Sequence, residues 1–263
     1  MIDALCRQIG VSAGVRVLPI APLASRGSLV WRIRFDGEDA VLTQRASQVH
    51  IELPDVQREL SVARRAASAH LAPPLLWADA AQRVFICRYV LPAPMDSPLD
   101  ARALGEQLGR LHRIPVDQFP RAAGLAQIAN RYLQIIAARE YDEPAMQRFE
   151  ALVVRIQNAA EANAADDVVM CHRDLVATNV LHGDRPLFID WEYAGPCSRW
   201  FDVATLLDGQ AFGKPQVANV LDGYLQVTGL DTQLSDAHTA IDRQRLVSGA
   251  LNDLWQAALP AVA

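Results

Sequence analysis

The segment Leu91-Pro92-Ala93-Pro94-Met95-Asp96-Ser97-Pro98 constrains the fold more than any other stretch of the chain. Its three prolines fix φ and remove backbone donors, so neither a helix nor a sheet ladder continues through it. The hydrophobic period differs on its two sides. Before it, Leu29, Trp31, Ile33 and Phe35 alternate with polar residues, as in a half-buried strand. After it, Leu104, Leu108 and Leu111 recur at i, i+4 and i+7, as along one face of a helix. A chain that changes period across such a break is expected to form two unequal parts, residues 1–91 and 92–263.

In the first part, Asp36-Gly37-Glu38-Asp39 reads as a turn between Leu29–Phe35 and a second strand at Ala40–Thr43, which predicts a hairpin. Residues 55–69 read as a helix with Asp55 as its cap, and Val84–Tyr89 as a strand. In the second part, Ser97 with Pro98 predicts the start of a helix. Further helices are expected at 128–140 and 145–163 and from Asp202 onward, the second with Met146, Phe149, Leu152, Val153 and Ile156 as a core stripe. Short strands are expected at Val168–Met170, Val180–Leu181 and Leu187–Ile189. The fold class is therefore α+β, with a small β-rich part and a larger helical one.

Composition excludes several function classes. Hydrophobic residues make up 51% of the 263, enough to bury a core, which argues against disorder. Net charge is −5 and no dense Lys/Arg block occurs, so no nucleic-acid partner is expected. No apolar run approaches the roughly 18–20 residues that span a bilayer, and the first residues lack a charged-then-apolar leader pattern, so no membrane association and a cytoplasmic location are expected. Cys6, Cys87, Cys171 and Cys197 are scattered without a C-x-x-C, which predicts buried, inert thiols. Lys214 is the only lysine, so any phosphate contact in the first part falls to arginine.

The chemistry concentrates in Cys171-His172-Arg173-Asp174-Leu175-Val176-Ala177-Thr178-Asn179 and Leu187-Phe188-Ile189-Asp190-Trp191-Glu192-Tyr193. Asp174 follows a strand in a loop, where a carboxylate can take the proton of an attacking hydroxyl. Asn179 lies five positions on, and Asp190 closes the strand at Leu187–Ile189. An amide oxygen and a carboxylate suit a hard divalent cation. Glu192 shares the face of Asp190 if that strand continues. Taken singly, each is an ordinary loop or strand-end polar residue. Their joint order and spacing are what point to phosphoryl transfer, which needs positioning, metal and a proton acceptor. His172 reads as a packing residue. Arg173 reads equally as a phosphate contact or a surface arginine.

These residues resemble the catalytic loop and metal-binding segment of the aminoglycoside phosphotransferase and choline kinase superfamily. Ile189 to Gly195 with Phe201-Asp202-Val203-Ala204 is most similar to the choline, ethanolamine and thiamine kinase branch. The resemblance implies a protein-kinase-like bilobal fold that binds ATP and Mg²⁺ between its lobes. It implies Asp174 as the base, Asn179 and Asp190 as Mg²⁺ ligands, Glu192 at the metal or the substrate hydroxyl, and His172 and Asp202 as structural residues. Glu59 resembles the helix glutamate that pairs with a phosphate-binding cation, and Phe85–Tyr89 the strand whose backbone meets adenine, which places Cys87 and Tyr89 there.

Two departures from that pattern stand out. The strand position that carries Lys or Arg in the family reads Thr43 here, and Arg45, two residues on, is its expected substitute. The phosphate-covering loop Ala24-Ser25-Arg26-Gly27-Ser28 has a single glycine, with Ser28 as its nucleotide contact. Trp191, Tyr193 and Trp255 are candidates for an aromatic cage around a cationic substrate. Trp200 and Tyr224 enter the same list, Tyr224 reading better as core. Asn252 stands where choline kinases carry a second tryptophan. The expected function is an ATP- and Mg²⁺-dependent kinase acting on a hydroxyl of a small molecule, with choline, ethanolamine or thiamine favoured. The alternatives are an aminoglycoside or sugar kinase, and a non-catalytic nucleotide-binding pseudokinase. The short stretch from Asp190 to Asp202 leaves little room for the activation loop of a protein kinase.

Overall fold

Asp36 and Gly37, both at positive φ (49° and 84°), form the two-residue turn of the first hairpin. This is the turn whose twist matches that of paired strands. Phe35 lies opposite Glu38, so Glu38 and Asp39 belong to the second strand rather than to the turn. The computed structural model in which this is seen describes residues 1–24, 28–45, 55–91, 100–162, 167–182 and 185–259.

Along the chain, α1 (Ile2–Ala13) leads into β1 (Val17–Pro22), β2 (Ser28–Phe35) and β3 (Glu38–Arg45), then α2 (Val56–Ser68), β4 (Leu75–Asp79) and β5 (Val84–Arg88). Next come α3 (Ala101–His112), α4 (Leu125–Ala137), α5 (Glu143–Glu161) and β6 (Val168–Cys171). A 3-10 turn at Ala177–Asn179 precedes β7 (Val180–Leu181) and β8 (Leu187–Phe188). A second at Trp191–Tyr193 precedes β9 (Gly195–Ser198), α6 (Arg199–Gly209), α7 (Lys214–Thr228) and α8 (Leu234–Ala258).

The chain divides into two compact units. The first comprises Met1–Ser97 together with Leu181–Glu192. Its five-stranded sheet is antiparallel throughout, in the order β1-β2-β3-β5-β4. Ile33, Ala40, Leu42, Val84 and Ile86 are fully buried on one face and pack with Cys6, Ile9 and Val17. Leu29, Trp31 and Phe35 lie partly buried against the same cluster, as the alternation requires. The Asp55 carboxylate caps α2 by accepting from Arg58 N at 3.0 Å. Leu181–Glu192 joins this unit in part through Phe188 N, which donates to Leu71 O at 2.8 Å.

The second unit comprises Pro98–Val180 and Tyr193–Ala263. Helix α3 begins at Ala101 with Asp100 as its cap, accepting from Ala103 N at 3.0 Å. Ser97 and Pro98 lie outside the described residues. Helices α3 and α7 pack with backbones nearly touching, since a Cβ on Gly105 would fall 2.0 Å from Val220 O. Asp142 caps α5, and β6 pairs antiparallel with β9.

Helix α1 and strands β1, β4 and β9 were not expected from the sequence. Leu75–Asp79 follows two prolines, and its residues are half-buried without alternation. Gly195–Ser198 is short and proline-containing, and becomes a strand only because β6 lies beside it.

Candidate active site

The first unit gathers an arginine and three carboxylates. Arg45 ends β3, where its backbone N–H donates to Arg83 O at 2.9 Å. Its side chain is 9% exposed. Nε donates to Glu59 Oε2 at 3.1 Å and Nη2 to Glu59 Oε1, a two-pronged pair with a carboxylate that α2 holds 3% exposed. Nη2 also reaches Asp190 Oδ1, and Nη1 lies 3.4 Å from Glu192 Oε2 and donates to Ser28 Oγ at 3.4 Å. Burial by itself would lower the Arg45 pKa; the Glu59, Asp190 and Glu192 carboxylates outweigh it and raise it. Burial raises the Glu59 carboxyl, with Arg45 pulling the other way.

Asp190 reaches this cluster with φ at +69°, a left-handed conformation that costs on the order of 1–3 kcal/mol in a non-glycine residue. The preceding strand stops at Phe188, and Glu192 arrives through the Trp191–Tyr193 turn. This corrects the expectation that Asp190 and Glu192 share a strand face. Arg58 on α2 donates to the Glu192 carbonyl and fixes that turn.

The other residues assigned to the nucleotide separate. Cys87 lies opposite Val41 on β5, and burial, then the charge of Glu59, pushes its thiol up to about 12. Tyr89 N donates to Asp39 O at 3.0 Å, and its ring lies 4.4 Å beneath the Arg32 guanidinium. Trp191 is 2% exposed, donates to Phe188 O at 3.1 Å and meets the Phe188 ring edge-on, so it is core and presents no open face.

The second unit presents Asp174 on a pinned turn after β6. Asp202, fully buried on α6, accepts from His172 N at 2.6 Å and Arg173 N at 2.8 Å. Asp174 N donates to His172 Nδ1 at 3.3 Å, which gives the buried His172 a positioning part. Asn179 Nδ2 donates to the Asp174 carbonyl at 2.9 Å and to its Oδ2 at 2.8 Å. That leaves the Asn179 amide oxygen as the group able to bind a cation.

Behind Asp202 lies a residue that the sequence did not single out. His112, in the last turn of α3, sits 3.3 Å from Asp202 Oδ2 through Nε2 and 2.8 Å from the Tyr224 hydroxyl through Nδ1. Burial lowers the His112 pKa, so the imidazole is neutral. Burial alone would raise the Asp202 carboxyl; the His112 hydrogen bond above all, together with the Arg173 amide, holds it below its ordinary value. Cys171 joins the same core, its donor atom within 4.8 Å of those of His112 and Asp202. Each of the three is engaged elsewhere, Cys171 Sγ with Cys197 O and Ser198 O, so the group is a hydrogen-bonded core cluster. Tyr193 and Trp255 are half-buried, whereas Trp200 and Tyr224 pack together in the interior.

A model of the phosphotransferase enzyme family matches residues 19–240. The chain belongs to that family. Protein LicA of Haemophilus influenzae is 34% identical over 94 residues, 34% of this chain and 28% of that protein. The chain thus spans about a third or less of the curated relatives it matches. A choline/ethanolamine kinase family protein from Mesorhizobium loti superposes with a TM-score of 0.71 at 22% identity, over 90% of this chain and 78% of that chain. Choline kinase LicA from Streptococcus pneumoniae gives 0.71 at 14%, over 98% and 90%. An aminoglycoside-3'-phosphotransferase of type VIII gives 0.66 at 22%, over 95% and 98%. The chain shares their protein-kinase-like fold. Among its described residues no helix is long and apolar enough to cross a membrane.

Proposed function

We propose that this phosphotransferase moves the γ-phosphate of ATP, with Mg²⁺, to a hydroxyl of a cationic amino alcohol of the choline, ethanolamine or thiamine type. The observation that carries the reading is the Asp174 carboxylate, tied to Asn179 Nδ2 at 2.8 Å on a turn whose two preceding amides end on Asp202. In this reading Asp174 accepts the hydroxyl proton, and a carboxylate held in place before substrate arrives supports that role. In the first unit, Arg45 is the phosphate-binding cation in place of Thr43, and Glu59 orients it.

Residues 1–91 carry the nucleotide-covering part and 92–263 the catalytic loop and acceptor pocket, with Leu181–Glu192 contributing Asp190 to the former. Each donor by itself suits a hard divalent cation: the Asn179 amide oxygen in the second unit and the Asp190 carboxylate in the first are the ligands proposed for Mg²⁺, as the family resemblance implies. Bound there, the ion would neutralise charge on the transferring phosphate. Arg45 meanwhile keeps Asp190 and Glu192 from repelling one another. Tyr193 and Trp255 offer half-buried rings for the acceptor.

The choline and ethanolamine kinases among its structural relatives favour an amino alcohol, and a LicA structure in complex with AMP supports a nucleotide donor. The aminoglycoside-3'-phosphotransferase relative keeps an aminoglycoside or sugar as the second acceptor class. ATP consumption with Mg²⁺ is to be measured against choline, ethanolamine, thiamine, amino sugars and an aminoglycoside. The expected result is an acceptor-dependent signal with an amino alcohol, abolished by Asp174→Ala. Turnover confined to the aminoglycoside would replace the first acceptor class with the second.

A further inference from the structure

Arg173 is not a surface arginine. It is 7% exposed, and its backbone adopts φ +69°. Its Nη1 donates to Ala123 O at 2.8 Å, in the residue before the cap of α4, and its Nη2 donates to Pro196 O on β9. Nε is buried without a hydrogen-bond partner among the described residues. Burying a guanidinium with one N–H unmatched and the backbone in a disfavoured well is a poor way to gain stability. The arrangement makes sense as a way to hold a shape.

The shape in question is the turn that presents Asp174. Arg173 N ends on Asp202 Oδ1 and His172 N on the other oxygen of the same carboxylate, and the left-handed φ of Arg173 turns the chain that follows into Asp174. Gly195, paired with Cys171 across β6 and β9, leaves the space the guanidinium fills. A Cβ on Gly195 would lie 2.7 Å from Arg173 Cζ. One side chain thus fastens the turn to β9 on one side and to the entrance of α4 on the other.

We propose that Arg173 is a positioning residue for phosphoryl transfer: by clamping Ala123 and Pro196 it holds the strained turn that sets the Asp174 carboxylate. The proposal rests on Asp174 being the acceptor of the hydroxyl proton. A lysine cannot replace the planar fork, because a single ammonium does not span two carbonyls in the same way.

The test uses the full chain with Arg173→Met, Arg173→Lys and Gly195→Ala. The last keeps the guanidinium but drives it off its carbonyls, and so covers the case in which Arg173→Met fails to fold. Hydrogen exchange without substrate should quicken at the His172 and Arg173 amides in Arg173→Met and Gly195→Ala. In steady-state assays kcat should fall roughly 10²-fold, the loss expected for a reacting group displaced by about 1 Å, with KM for ATP little changed. Added guanidinium ion, far below denaturing concentrations, should restore part of kcat in Arg173→Met but not in Gly195→Ala. Unchanged exchange in folded variants overturns the clamp, and quickened exchange with wild-type kcat overturns its positioning role. A wild type inactive toward every acceptor removes the reading of Asp174 instead, and the exchange data then decide the clamp by themselves.

Discussion

Arg45 and Glu59, 14 residues apart in sequence, meet through two nitrogens and two oxygens in a pair that solvent scarcely reaches. The same guanidinium touches Asp190, 145 residues away along the chain. Three acids depend on one arginine, and the stability of the first unit follows from that dependence.

Arg45→Met should leave Glu59 buried without its cation and cost about 3–5 kcal/mol in urea unfolding. Adding Glu59→Leu should recover most of that loss, because the uncompensated charge is then gone. Mg·ATP affinity, followed by calorimetric titration, should stay low in both variants. Equal stability of single and double variants would show that the pair carries no such coupling.

Asp174→Asn removes the proton acceptor and keeps the shape. Turnover with the identified acceptor should fall by roughly 10²–10⁴-fold, the range for losing a general base. Mg·ATP affinity should change less than threefold, an order-of-magnitude expectation for a group acting mainly in the transition state. A parallel drop in affinity would place Asp174 at the nucleotide instead.

Asp190→Ala should weaken Mg·ATP binding and also disturb Arg45, which loses one of its three carboxylates. Titration with a fluorescent ATP analogue should show a weakened, less magnesium-dependent interaction. Chelation of divalent cations by EDTA should abolish wild-type turnover, and restored Mg²⁺ should recover it. Full activity in EDTA would exclude Asn179 and Asp190 as metal ligands.

Stability should decline in mildly acidic buffer through His112. Burial lowers its pKa in the folded chain, whereas an unfolded histidine titrates near about 6.5. Protons therefore bind preferentially to the unfolded state once pH drops below that value, and the contribution present above it is lost as pH falls toward the depressed folded value. Melting temperatures at descending pH should show this decline, reduced in His112→Asn. A flat profile in the wild type would mean that His112 is not held neutral.

Cys87 should resist alkylation by iodoacetamide at mildly alkaline pH, since its thiol titrates at about 12. Cys6 and Cys171, both buried and raised, should behave likewise in the folded chain. Peptide mapping after brief labelling checks this, with urea-unfolded protein as the reactive control. Rapid labelling of Cys87 in the native state would contradict its raised pKa.

Local information made much of this protein legible. The alternation in β2, the Asp36-Gly37 turn, the Asp55 cap of α2 and the spacing of Asp174 to Asn179 each express an interaction within a few residues, so the linear order carries them. Other features were beyond such reading. The sequence suggested Arg45 as a stand-in for Thr43, but only packing of β3 against α2 and the Asp190 turn decided which acids it meets. The His112–Asp202 contact joins residues 90 apart, and Arg173 became a buried clamp because Ala123 and Pro196 bring carbonyls to it. Sequence by itself determined which chemical groups exist and the local frames that carry them. Tertiary structure decided which of those groups lose water together, and burial is what turns an arginine, a histidine and an aspartate from ordinary polar residues into positioned ones.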